Sequence, residues 1–93
     1  MKHKALVRFL NKEEGGRFNP PLSGYRPQMK IGDEHTSCLI TPINQEIETM
    51  EFGVDYEVNI DFQFEENFYD KIKSGLNIGL YEGSKLIGHG YLI

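Results

Sequence analysis

Tyr56-Glu57-Val58-Asn59-Ile60-Asp61-Phe62-Gln63-Phe64 places an apolar side chain at every second position, with polar residues between them. Successive side chains of a β-strand point to opposite faces, so this period of two describes a strand with one wet face. Tyr56, Val58, Ile60, Phe62 and Phe64 are therefore expected in the core, and Glu57 and Asp61 are read as solvated charge. Leu76, Ile78 and Leu80 repeat the period and run into a turn at Glu82-Gly83-Ser84. Residues 85–93 read as a last strand in which Gly88 and Gly90 share a face. A glycine pair of that kind marks a bend, a bulge or the close approach of another backbone.

Towards the N-terminus, residues 4–10 read as a strand, with Ala5, Val7 and Phe9 on one face and Leu6, Arg8 and Leu10 on the other. Both faces are largely apolar, as in a strand covered on two sides, and Val7 is assigned to the core. Residues 25–31, starting beside Pro27, and residues 37–43, ending near Pro42, are further candidate strands. Gly15-Gly16 and Pro20-Pro21 make residues 11–24 irregular backbone. Residues 65–74, with Phe68, Tyr69 and Ile72, form a helical turn or a loop. Short strands separated by turn signals, without a long helix, indicate an all-β barrel or sandwich.

Composition fits one domain. The chain has 93 residues, 39% of them hydrophobic, with six Phe and five Tyr. That is enough for one modest core and too aromatic for a disordered chain. Fourteen acidic and ten basic residues leave a net charge of −4, which repels phosphate backbones at long range unless a local basic patch overrides it. Cys38 is the single cysteine, so no intrachain disulfide forms, and a small core side chain is the expectation. The first ten residues are too short and polar for a signal peptide's apolar core, and no run reaches the length of a membrane span. A cytoplasmic location without membrane association is expected.

Two separated motifs carry a resemblance. Lys12-Glu13-Glu14-Gly15-Gly16-Arg17 leads into Gly24-Tyr25-Arg26-Pro27-Gln28-Met29, and Glu82-Gly83-Ser84-Lys85-Leu86-Ile87-Gly88-His89-Gly90 follows near the other end. In spacing and order these resemble the C-terminal (third) β-barrel domain of elongation factor Tu, here as a stand-alone domain spanning residues 1–93. The likeness covers nearly the whole chain and is weakest over residues 30–50. It implies a small antiparallel, Greek-key-like β-barrel of about six strands. The matched residues also have readings of their own. Gly15-Gly16 permits positive φ after the first strand, Tyr25 can bury its ring and direct its hydroxyl to a backbone group, and Gly83 takes the left-handed position of a tight hairpin.

Catalytic chemistry finds no support in the residues. No G-x-x-x-x-G-K-S/T loop is present, so neither GTP binding nor GTP hydrolysis is expected. His3, His35 and His89 share no ligand spacing, and His35-x-x-Cys38 lacks the second pair that zinc requires. No nucleophile elbow is found. We expect no enzyme activity, no cofactor and no metal.

The resemblance instead implies binding. In the related factor this domain touches the T-stem of aminoacyl-tRNA, and the matching positions here are Arg17, Gln28, Glu82 and Gly83. The chain departs from the family at Phe18 (histidine there), Asn19 (threonine) and Pro21-Leu22 (two phenylalanines), and at Phe18 the change removes a phosphate donor and puts an apolar ring in its place. Arg17 flanked by Phe18, Pro20, Pro21 and Leu22 suits the centre of a protein interface better than a phosphate track. The expected function is a non-catalytic, translation-related module that binds an unidentified protein partner. The alternative is an RNA-binding module that contacts a tRNA-like stem through Arg17, Arg26, Lys30 and Lys85.

Overall fold

The computed structural model describes residues 2–93; Met1, the first residue of the expected domain, lies outside the described residues. Six strands form: β1 (Lys2–Phe9), β2 (Gln28–Ile31), β3 (Glu34–Pro42), β4 (Asp55–Phe62), β5 (Asn77–Glu82) and β6 (Lys85–Leu92). They close into an antiparallel barrel in the order β1-β4-β3-β2-β5-β6, with β6 returning to β1 through pairs such as Val7 with Gly90. Closure leaves no open sheet edge, the usual liability of a small β-protein. Strands β2, β3 and β4 are sequential neighbours with β1 beside β4, a Greek-key order in which the long connection comes first.

The alternation read from the sequence sets the register. Val58, Ile60 and Phe62 of β4 point inward beside Ala5 and Val7 of β1 and Cys38 and Ile40 of β3. Ile78 and Leu80 complete the buried set from β5, while Tyr56 and Leu76 are partly buried against it. Phe64 corrects the expectation. The strand ends at Phe62, and Phe64 takes a left-handed φ of 55° that breaks the period. Its ring is 64% exposed. One turn of 3-10 helix, Glu65–Phe68, follows and buries Phe68 instead. The strand expected over residues 25–31 starts only at Gln28, because Tyr25 makes an isolated bridge to Ile40 and Pro27 has no N–H to pair.

Both late glycines have steric causes. A Cβ at Gly90 would overlap the Leu6 carbonyl, and one at Gly88 would lie 3.0 Å from the Arg8 carbonyl oxygen and from Phe9. Glycine thus lets β6 approach β1. Between these strands and the last turn sits a β-bulge: Leu80 pairs with Gly88 and Tyr81 with Leu86, so Ile87 is the extra residue. The bulge turns Ile87 into the core and frees its carbonyl to accept the Leu10 N–H at 2.9 Å. That bond anchors the start of the long β1–β2 connection.

Candidate interaction surface

Strand direction alone gathers three connections at one end of the barrel. Strands β1, β3 and β5 finish there, and β2, β4 and β6 begin there, so residues 10–27, residues 43–54 and the Gly83-Ser84 turn are neighbours.

The long connection is held by its backbone. Asn11 and Glu14 bond reciprocally, each side chain accepting the other's N–H, at 3.0 and 2.9 Å. Gly15 then turns at a φ of +87°. Gly16 corrects the reading of the pair: its φ is not positive, and glycine is needed because a Cβ would overlap the Leu10 carbonyl. Beyond it, Ser23 N–H donates to the Glu48 carbonyl at 2.8 Å, and Met50 N–H donates to that of Pro21 at 2.8 Å. Gly24 N–H reaches the Ile40 carbonyl and Ile40 N–H the Tyr25 carbonyl, each at 2.9 Å. Pro21, Phe9 and Met50 are fully buried beneath this layer and plug the barrel end.

On this fixed backbone Arg17 and Glu82 meet. The Arg17 guanidinium donates to Glu82 Oε2, and so does the Tyr25 hydroxyl. The tyrosine therefore serves a carboxylate and not the backbone group expected of it. Arg17 Nε also donates to the Asn19 carbonyl at 3.0 Å, and the guanidinium carbon lies 4.7 Å from the Tyr25 ring centroid. Partial burial opposes the Arg17 charge, but the hydrogen bonds with Tyr25 and Glu82 outweigh it and hold its pKa above the ordinary value. Burial likewise opposes the Glu82 charge, yet the two donors leave its carboxyl below the ordinary value. For Tyr25 burial comes first and the Glu82 contact second, and together they push the phenol up. The triad locks the loop to the β5–β6 turn.

Two apolar side chains remain outside that lock. Phe18 is 73% exposed and Leu22 63% exposed, with the Lys12 ammonium 4.0 Å over the Phe18 ring centroid. Gly83 makes the adjoining turn at a φ of 62°. Gln28 lies apart from these groups on the outer face of β2, where its amide donates to Ser37 Oγ at 3.0 Å. The structure thus joins Arg17, Glu82 and Gly83 and leaves Gln28 on the wall. Sequence reasoning missed Tyr25 as the third member of the triad and Lys12 as the cation over Phe18. No local signal marks either, since both pairings are set by the folded loop.

The remaining candidates separate. His35 faces outward on β3, edge-on to Tyr81 at 5.6 Å, whereas Cys38 is buried in the core, so the pair cannot share a metal. No group of three or more acidic, histidine or cysteine side chains suited to a metal occurs among the described residues. Among the described residues, no helix is long and apolar enough to cross a membrane. No family model matches the chain.

Proposed function

We propose that this barrel is a non-catalytic protein-interaction module whose contact surface is the end carrying Phe18 and Leu22. The observation that carries the reading is the pairing of a pinned backbone with exposed apolar side chains. Phe18 and Leu22 stand out from a loop that backbone hydrogen bonds to β3, to β6 and to the β3–β4 connection hold in place. An ordered loop pays little further entropy when a partner covers it, which favours association. Aromatic and arginine side chains are the residues enriched at such interface centres.

Arg17 bears on the choice between protein and RNA. Its guanidinium is already engaged by Glu82 and the Asn19 carbonyl, and a phosphate would have to displace a carboxylate to reach it. The motif resemblance to the third domain of elongation factor Tu supports a further proposal. We read the chain as a relative of that domain, acting in the cytoplasm near the translation machinery. A six-stranded closed barrel is compatible with that kinship.

The test is partner capture by immobilised protein from nuclease-treated lysate. Phe18→Ala should lower capture by more than about fivefold, equivalent to ~1 kcal/mol, with an unchanged melting temperature. Capture that disappears with nuclease and responds to Arg17→Ala and to salt instead would assign the surface to RNA. Phe18→Ala protein that binds as well as wild type would place the contact elsewhere.

A further inference from the structure

The apolar end of the barrel carries an uneven charge. Residues 43–54, the connection beside Leu22, contain Glu46, Glu48 and Glu51 and no lysine or arginine. All three glutamates are exposed, and among the described residues none of them forms an ion pair. Backbone pairing places this charge at the edge of the apolar contact. Leu22 and Thr49 are bridge partners, flanked by the bonds from Ser23 N–H to the Glu48 carbonyl and from Met50 N–H to the Pro21 carbonyl. Partners flanked in that way are the close, non-hydrogen-bonded kind, with Cα atoms about 4.5 Å apart. Met50 is fully buried, so Thr49 and Glu51 on either side of it face outward with Leu22. Glu51 is then the diagonal neighbour of Leu22, about 7–8 Å away, and the Tyr56 hydroxyl fixes its backbone by accepting the Glu51 N–H at 2.7 Å.

The cations of this end lie elsewhere. Arg17 is engaged by Glu82, and Lys12 stands over the Phe18 ring, followed in sequence by Glu13 and Glu14. Arg26 comes past the bridge from Tyr25 to Ile40. On the adjoining strands Arg8 is paired with Asp55, and Lys85 is the cross-strand partner of Glu82. The apolar surface is therefore polarised: a lysine flanks Phe18, and only carboxylates flank Leu22 on the side of residues 43–54.

We propose that the partner of this end is a basic protein segment, with an apolar or aromatic anchor that covers Phe18 and Leu22 and lysine or arginine side chains that face Glu48 and Glu51. That chemistry presupposes the contact surface assigned above to Phe18 and Leu22. Exposed ion pairs are individually weak, so the carboxylates select the partner and steer its approach while the apolar contact holds it. The same carboxylates act against RNA, because a phosphate brought over Leu22 meets like charge at Glu51 and Glu48. An acidic segment is rejected for the same reason.

Panning a random dodecapeptide display library on the immobilised protein lets the surface select its own ligand. Recovered sequences should join an apolar or aromatic residue to lysine and arginine, with at least about two more basic than acidic residues. The most enriched peptide, synthesised and titrated with the protein, should bind at least about fivefold more weakly to Phe18→Ala and to the double variant Glu48→Lys/Glu51→Lys, with circular dichroism unchanged. Neither glutamate side chain holds a bond among the described residues, so their reversal leaves the fold intact. Neutral or acidic peptides that Phe18→Ala still releases, or basic peptides indifferent to Glu48→Lys/Glu51→Lys, would overturn the basic partner and leave the contact surface standing. Peptides indifferent to Phe18→Ala, or a library that yields no binder, would overturn both. Displacement of the peptide by lower concentrations of single-stranded oligouridylate would reassign the surface to RNA, and a dimer in sedimentation equilibrium that Phe18→Ala dissolves would reassign it to a second copy of this chain.

Discussion

Replacing Gly15 and Gly16 one at a time by alanine separates two reasons for a glycine pair. At Gly15 the backbone is left-handed, with φ at +87°, but no atom lies within 4 Å of where a Cβ would stand. Alanine there carries only conformational strain, about 1–2 kcal/mol. At Gly16 the φ is ordinary, but the new methyl would overlap the carbonyl of Leu10 and come within 2.7 Å of the Leu10 Cβ. The obstacle is backbone, fixed by the Leu10 N–H bond to the Ile87 carbonyl at 2.9 Å and by the Gly16 N–H bond to the Asn11 carbonyl at 2.7 Å. It cannot rotate away, so the cost belongs at or above the upper end of overpacking, about 3 kcal/mol. At about 4–8 °C per kcal/mol for a domain of this size, Gly16→Ala should lower the melting temperature by ~12 °C or more and Gly15→Ala by roughly one to two thirds of the Gly16→Ala loss. Urea and thermal unfolding followed by circular dichroism measure both. Equal losses, or a larger loss at Gly15, would refute the close-approach account of Gly16.

Three further outcomes test other parts of the structure. Phe64→Asn should raise stability by about 0.5–1 kcal/mol in urea unfolding, because asparagine tolerates the left-handed φ of 55° and the exposed ring gives up little packing. Burial pushes the Cys38 thiol up to about 12, so it should resist alkylation at pH 8 until the domain unfolds. The folded state keeps that proton where the unfolded chain has lost it, so stability measured by urea titration should fall as pH rises from about 9 towards 12. Glu82→Gln should cost about 0.5–1 kcal/mol at neutral pH, a modest figure because the carboxylate is 40% exposed. The Glu82 carboxyl is depressed in the folded state, so its contribution is present above the ordinary carboxylate pKa and lost on acidification; the variant should flatten that part of the pH profile.

How far the sequence foretold this structure depended on whether a signal was local. Val58, Ile60 and Phe62 reached the core as the period of two required, because alternation is written in neighbouring residues. The same pattern overran at Phe64, where period alone could not tell a strand's last residue from the start of a left-handed turn. Gly88 and Gly90 marked a bend, a bulge or a close approach without choosing among them, and the structure holds both a close approach to β1 and a bulge beside Gly88. Which strand is approached, and that Ile87 is the extra residue, exist only relative to the partner strands. At the candidate site, Arg17 and Glu82 were both named, yet their union with Tyr25 spans more than fifty residues of sequence and depends on barrel closure.

Exposure of Phe18 and Leu22 carries weight because of what lies beneath them. On a loose loop, two exposed apolar side chains would be unremarkable, since single surface hydrophobes are common. Here the same connection buries Pro21 fully, seats Gly16 against Leu10 and ties Arg17 to the opposite turn. The segment has inward positions and fills them, so its outward apolar positions are not a by-product of poor packing. The loop thus spends its ordering entropy in the folded monomer, and a partner that covers Phe18 gains the apolar burial without repeating that cost. On this argument an Arg17→Ala variant should weaken protein capture indirectly, by loosening the loop, and should do so less than Phe18→Ala. Rising salt, which screens the Arg17–Glu82 pair, should lower capture only slightly. A steep fall with salt, or a larger effect at Arg17 than at Phe18, would mean that charge and not apolar surface makes the contact.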